Sequence, residues 1–175
     1  MTNALFVRDS GIPLRRDMAV EPSVLSALPP RKGPRPATTG REIPHDQLED
    51  FSPPEIRAAL IARAQALPGV FMTQSQVSEP SSLALRLNKE NRAFDAFLHP
   101  SVDEFGHIHR TGFMHLTVPL ESLGALTELG WVEPHPISRR PEFPSGIVML
   151  YAPRDADELE VAATVMRASY ELAVR

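Results

Sequence analysis

Histidine is the residue type through which this chain can do chemistry. Four of its six histidines, His107, His109, His115 and His135, fall between positions 107 and 135. Imidazole changes charge closest to neutral pH, so it serves as a base, a hydrogen-bond donor or a metal ligand. On a strand, residues two apart share a face, so Phe105, His107 and His109 point one way while Glu104, Gly106 and Ile108 point the other. The side taken by His115 depends on the loop before it. A three-residue loop of Thr111, Gly112 and Phe113 sets His109 directly opposite His115 and brings three imidazoles together; a two-residue loop sends His115 to the far face. Trp131, Glu133 and His135 alternate in the same manner, with Pro134 and Pro136 holding the backbone around His135 extended. A fourth imidazole and a carboxylate can therefore reach the same pocket.

Each of these residues also has a plainer use. A strand histidine is usually a hydrogen-bonded core residue, and Trp131 is most often core, although it can form the flat wall of an aromatic-ligand pocket. Arg154, between the last strand and last helix, can hold an anionic or carbonyl group, but a lone arginine more often pairs with an acid such as Glu133. The cluster as a whole points to function, because desolvated titratable groups are costly to gather without a use. Two chemistries stay open: histidines acting as bases and donors, with His107, His109, His115 and His135 as catalytic residues, or His107, His109 and His115 ligating zinc, iron or manganese.

The elements that must position these side chains can be read from periodicity. Ser52-Pro53-Pro54-Glu55 has the form of a helix N-terminus, with Ser52 as cap, ahead of Ile56, Leu60, Ala64 and Leu67. Strands are expected at Val70–Val77, Leu83–Leu87, Glu104–His109, Met114–Val118 and Ile147–Tyr151. Leu120, Leu123, Leu126 and Leu129 mark a helix ending at Gly130, and Asp155 with Glu158 opens a final one. Hairpin-linked strands with helices before, among and after them predict a single α+β domain with an antiparallel sheet.

Of the 18 prolines, nine precede Glu55, a density that argues against any helix there. Residues 1–50 therefore read as a Pro-rich extended arm, disordered or laid across the surface, and residues 51–175 as the folded domain. Arg31, Lys32, Arg35 and Arg41 give the arm positive charge that domain carboxylates can meet.

Composition narrows the function. The net charge of -4 disfavours nucleic acid as a partner. Zero cysteines exclude disulfides, thiolate nucleophiles and sulfur-ligated metals. No run reaches the roughly 18 apolar residues of a membrane span, and Arg8, Asp9, Arg15, Arg16 and Asp17 interrupt the apolar core of any signal peptide, so a cytoplasmic protein with no membrane partner is expected. The sequence has no Gly-x-Gly-x-x-Gly, P-loop, Gly-x-Ser-x-Gly or His-Glu-x-x-His. Oligomeric state has no sequence signal.

Taken in order, Glu104-Phe-Gly-His-Ile-His109, Met114-His-Leu116, Gly130-Trp-Val-Glu-Pro-His-Pro136 and Leu150-Tyr-Ala-Pro-Arg-Asp155 resemble the successive motifs of the fungal luciferase family, which has bacterial members as well. Leu28-Pro-Pro-Arg-Lys-Gly-Pro-Arg-Pro36 resembles the segment preceding the family's conserved domain, and the likeness runs from about residue 25 to the C-terminus. The resemblance implies oxidation of an enolisable, pyrone-like or aromatic small molecule by molecular oxygen, without flavin or nicotinamide; fungal members act on a hydroxylated styryl-pyrone, release carbon dioxide and emit light. It carries His107, His109, His115 and His135 over as catalytic residues, with Glu133 and Arg154 in support. Trp131, Phe105 and Phe113 are candidates for lining the substrate pocket. The chain departs from the fungal pattern in showing no membrane-anchoring segment at its N-terminus and in a shorter loop between His109 and His115. Beside this reading stand a His-ligated metal enzyme and a non-catalytic small-molecule binding module.

Overall fold

The computed structural model describes residues 20–88 and 95–174, so the first 19 residues of the expected arm lie outside the described residues. The elements run α1 (Pro22–Ser26), α2 (Pro54–Gln65), β1 (Val70–Gln74), β2 (Leu83–Leu87), β3 (Glu104–Ile108), β4 (Met114–Thr117), α3 (Leu120–Glu128), β5 (Val132–Pro134), a 3-10 turn (Pro136–Arg139), β6 (Ile147–Leu150) and α4 (Ala156–Val174). The strands form one sheet in the order β1-β2-β3-β4-β6-β5, with every neighbouring pair antiparallel. This is an α+β fold.

Strand alternation gives the sheet two faces. Leu85, Leu87, Met114, Leu116, Val148 and Leu150 point to a core that α2 and α4 complete with Leu60, Ala64, Leu159, Ala162, Val165 and Met166. His107, His115 and Glu133 belong to the opposite face, where His107 pairs with His115 and both His115 and Glu133 pair with Met149.

Regular alternation breaks at one place. Leu85 lies opposite Gly106 but Arg86 lies opposite Glu104, so Phe105 is an extra residue in β3. A bulge of this kind puts two successive side chains on one side and reverses the alternation beyond it. Phe105 therefore leaves the histidine face for the core, fully buried with its ring 6.2 Å from that of Tyr170 in α4. Glu104 moves the opposite way, onto the histidine face.

The arm is packed on the domain. Pro22 occupies the first turn of α1, where a missing N–H costs nothing, so a five-residue helix forms despite the proline density. Leu25 from this helix is fully buried in the main core. Trp131 Nε1 donates to Pro29 O at 2.7 Å and Arg31 N to Leu129 O at 2.9 Å. The Arg31 side chain enters between Asp50 and Glu158, at 3.8 and 3.9 Å. The arm then doubles back through a Thr38–Gln47 bridge, and the Gln47 amide oxygen accepts from Ala152 N at 2.9 Å.

Helix starts differ in how they are capped. Asp155 Oδ1 accepts from Glu158 N at 2.9 Å at the head of α4, as expected. Ser52 does not cap α2: Pro53 holds the cap position. Ser52 Oγ instead donates to Pro153 O at 2.6 Å and its N–H to Thr111 O at 3.0 Å, tying the arm to the β3–β4 hairpin. Among the described residues, no helix is long and apolar enough to cross a membrane.

Candidate active site

The β3–β4 hairpin turns through Arg110, Thr111 and Gly112, with His109 N donating to Phe113 O at 2.9 Å. The loop has three residues but sits one position earlier than the spacing suggested. His107, and not His109, is therefore the residue directly opposite His115. A two-residue shift in pairing preserves the face, so the three imidazoles still converge. Gly112 has φ +99°, a left-handed conformation that suits glycine at the end of such a loop.

His107 Nε2 lies 3.1 Å from His115 Nδ1, and His109 Nε2 lies 3.2 Å from the same atom. The other nitrogen of His107 meets Glu104 Oε1 at 2.6 Å. Glu104, fully buried, also accepts from Ser75 Oγ at 2.7 Å and Gln76 N at 3.3 Å. His109 Nδ1 is 3.4 Å from both Ser82 Oγ and Glu79 Oε1. Its ring stacks on Phe113, with centroids 3.8 Å apart.

A fifth imidazole arrives from the arm. His45 Nε2 is 2.6 Å from Glu133 Oε1, and Glu133 Oε2 accepts from Tyr151 OH at 2.9 Å. The His45 ring is parallel to that of His115 at 5.5 Å and edge-on to that of His135 at 4.8 Å. His135 is edge-on to His115 at 4.5 Å, and its Nδ1 accepts from Ile137 N at 3.1 Å at the start of the 3-10 turn. Sequence reasoning missed His45, which has no strand or helix periodicity around it, and placed Glu104 on the wrong face because a bulge leaves no mark in local alternation.

These histidines line a cavity of about 620 Å³ whose other walls include Ile43, Val77, Leu98, Ile137 and Phe143. Burial is the main cause that lowers the pKa of His109 to about 2 and of His135 to about 3, with neighbouring imidazoles adding to it. His115, fully enclosed, is held well below its ordinary value for the same reasons. These three are neutral at physiological pH, with lone pairs available. Burial would raise the Glu133 carboxyl, but hydrogen bonds from His45, Thr38 and Tyr151 outweigh it and bring the pKa down. Burial and the adjacent Glu133 raise the Tyr151 phenol, keeping it a donor. Among the described residues, two imidazole nitrogens of this cluster are buried without a hydrogen-bond partner, His45 Nδ1 and His115 Nε2.

The remaining expected site residues lie elsewhere. Phe105 is in the core, and Phe113 backs His109 without lining the cavity. Trp131 is 4% exposed, packed in the main core and bordering a separate cavity of about 440 Å³ between arm and α4. Arg154 pairs with Glu158 and donates to Lys32 O at 2.6 Å, so it anchors the arm instead of facing a ligand. Glu133 does reach the site, as the partner of His45.

The Luciferase domain family profile matches residues 102–169. Over 168 residues the chain is 29% identical to a luciferase of Armillaria mellea, and over 172 residues it is 30% identical to luciferases of Armillaria gallica and Armillaria ostoyae. The chain carries a Luciferase domain match and is similar to fungal luciferases over most of its length. Each alignment takes in 83% of this chain and 60% of the relative, so the chain spans about three fifths of the length of the curated relatives it matches. The profile match includes Glu104, His107, His109, His115, Glu133 and His135, whereas His45 precedes it. No solved structure matches the chain.

Proposed function

We propose that this protein is an oxygen-dependent oxidoreductase whose substrate is a flat, enolisable hydroxypyrone or related aromatic small molecule held in the histidine-lined cavity. The observation that carries this reading is the unpartnered Nδ1 of buried His45 beside that cavity. Its Nε2 faces the Glu133 carboxylate, which fixes the tautomer that leaves Nδ1 as a bare lone pair. The His45 side chain is closed off from the cavity at rest, so a substrate enol reaches Nδ1 once a small shift of the cavity wall uncovers it, and gives up its proton there. The resulting imidazolium is stabilised by Glu133, and the electron-rich enolate is the reductant for molecular oxygen, the co-substrate.

His109 and His135, with pKa values of about 2 and 3, are too weakly basic to take this proton at neutral pH. They serve better as neutral polar walls that orient the substrate. The volume of about 620 Å³ suits a ligand of several fused or linked rings, with its apolar surface against Ile43, Leu98 and Phe143.

The test is an oxygen-electrode assay with a panel of 4-hydroxy-2-pyrones, including styryl-substituted ones, in parallel with calorimetric binding. Enzyme-dependent oxygen uptake that is lost in His45→Gln supports the assignment. Binding with no oxygen uptake across the panel points to a binding module, and absence of both removes pyrones as the substrate class.

A further inference from the structure

We propose that the protein binds one divalent transition-metal ion through His107 Nε2, His109 Nε2 and His115 Nδ1. The inference goes beyond the reading above and does not depend on it, since it is tested without substrate.

The spacing is the first ground. A metal–nitrogen distance of about 2.0–2.1 Å puts two ligand nitrogens roughly 2.9 Å apart at a right angle and roughly 3.3 Å apart at the tetrahedral angle. The separations from His115 Nδ1 to the two Nε2 atoms are 3.1 and 3.2 Å, between those limits. One ligand atom from each of the three rings falls within 4.8 Å of the others.

The second ground is proton accounting. Glu104 Oε1 accepts from His107 Nδ1 at 2.6 Å, and the tautomer this contact selects presents Nε2 as a lone pair. Ser82 Oγ and Glu79 Oε1, each 3.4 Å from His109 Nδ1, favour the proton on that nitrogen and leave His109 Nε2 bare as well. Two lone pairs then face His115 Nδ1 at close range in a site 3–5% exposed. A cation between the three nitrogens satisfies all of them at once. The carboxylate behind His107 is the arrangement that orients metal-bound imidazoles and raises their basicity.

The other histidine group, His45, His115 and His135, fits a metal less well. His135 Nδ1 already accepts a peptide N–H, which leaves the proton of the neutral ring on Nε2. Imidazole donors of this kind suit zinc, iron(II) or copper(II), and an open coordination position would face the cavity.

The full-length protein, produced without a His tag and stripped with a chelator, is titrated with Co²⁺ by visible absorption and with Zn²⁺ by calorimetry. One ion per chain is expected. His109→Gln is expected to weaken binding by about 100-fold or more, Glu104→Gln by about 10–100-fold as a residue behind the ligand, and His135→Gln by less than about threefold. X-ray absorption of the zinc-loaded wild type should count three imidazoles, and this reading stands even where a variant fails to fold. No saturable uptake, fewer than three imidazoles, or binding that survives His109→Gln and is lost in His135→Gln overturns the proposal.

Discussion

His45 and Glu133 are 88 positions apart in sequence and 2.6 Å apart in space. One comes from the folded-back arm and the other from the edge strand β5, so the candidate base exists only where arm and sheet edge meet. If His45 is the base, His45→Gln lowers kcat for hydroxypyrone oxidation by about 10²–10⁴, the range for removing a general base. KM should change far less. Unaltered kcat in a folded variant would move the proton transfer to another residue.

The same pair gives a pH signature. The folded-state pKa of Glu133 is lowered, so its ionisation stabilises the fold above the unfolded carboxyl value of about 4.5. That contribution disappears as pH falls through the lower folded value. Glu133→Gln should therefore melt below the wild type at pH 7, with the gap narrowing once the pH drops under about 4.5. A gap that stays constant from pH 7 to pH 3 would contradict the assignment.

Docking of the arm should appear in stability. Leu25 is fully buried in the main core, and Leu25→Ala should cost about 2–4 kcal/mol in chemical denaturation, as for other buried leucines. A cost near zero would mean that the arm leaves the domain in solution.

Gly112 offers a test of the hairpin clamp. A Cβ there would lie 2.2 Å from Ser52 Oγ and 2.5 Å from Ser52 Cβ, in addition to the strain of a positive φ. Gly112→Ala should destabilise by about 1–3 kcal/mol. Combining it with Ser52→Gly, which removes both clashing atoms, should give a double variant more stable than the sum of the two losses, and simple additivity would show that the clash is relieved elsewhere.

Much of this arrangement was legible in the residues. Hydrophobic periodicity placed the helices ending near Ala66 and Gly130 and the one that begins after Asp155, and strand alternation put His107 and His109 on one side, with His115 joining them only if the hairpin loop had three residues. What escaped has physical causes. A bulge depends on the partner strand, so alternation alone sent Phe105 to the site and Glu104 away from it. Shifting the hairpin loop by one residue changes which histidine faces His115 while leaving the set intact. Trp131 and Arg154 carry side chains suited to ligands, yet a backbone carbonyl of the arm captures each of them, Pro29 O and Lys32 O respectively. His45 is the largest omission, because its place is decided by long-range contacts of a proline-rich segment with no period of its own.

The folding order of the chain has a consequence for how activity appears. Hairpins such as β3–β4 close over a few residues, whereas His45 must be delivered by contacts such as Gln47 with Ala152 that span 105 positions, and closures of that length come late. A molecule with a complete sheet and an undocked arm would hold four imidazoles and no base. Turnover would then mark the last stage of maturation, and a lag between recovery of secondary structure and recovery of oxygen uptake during refolding would measure the time the arm takes to settle.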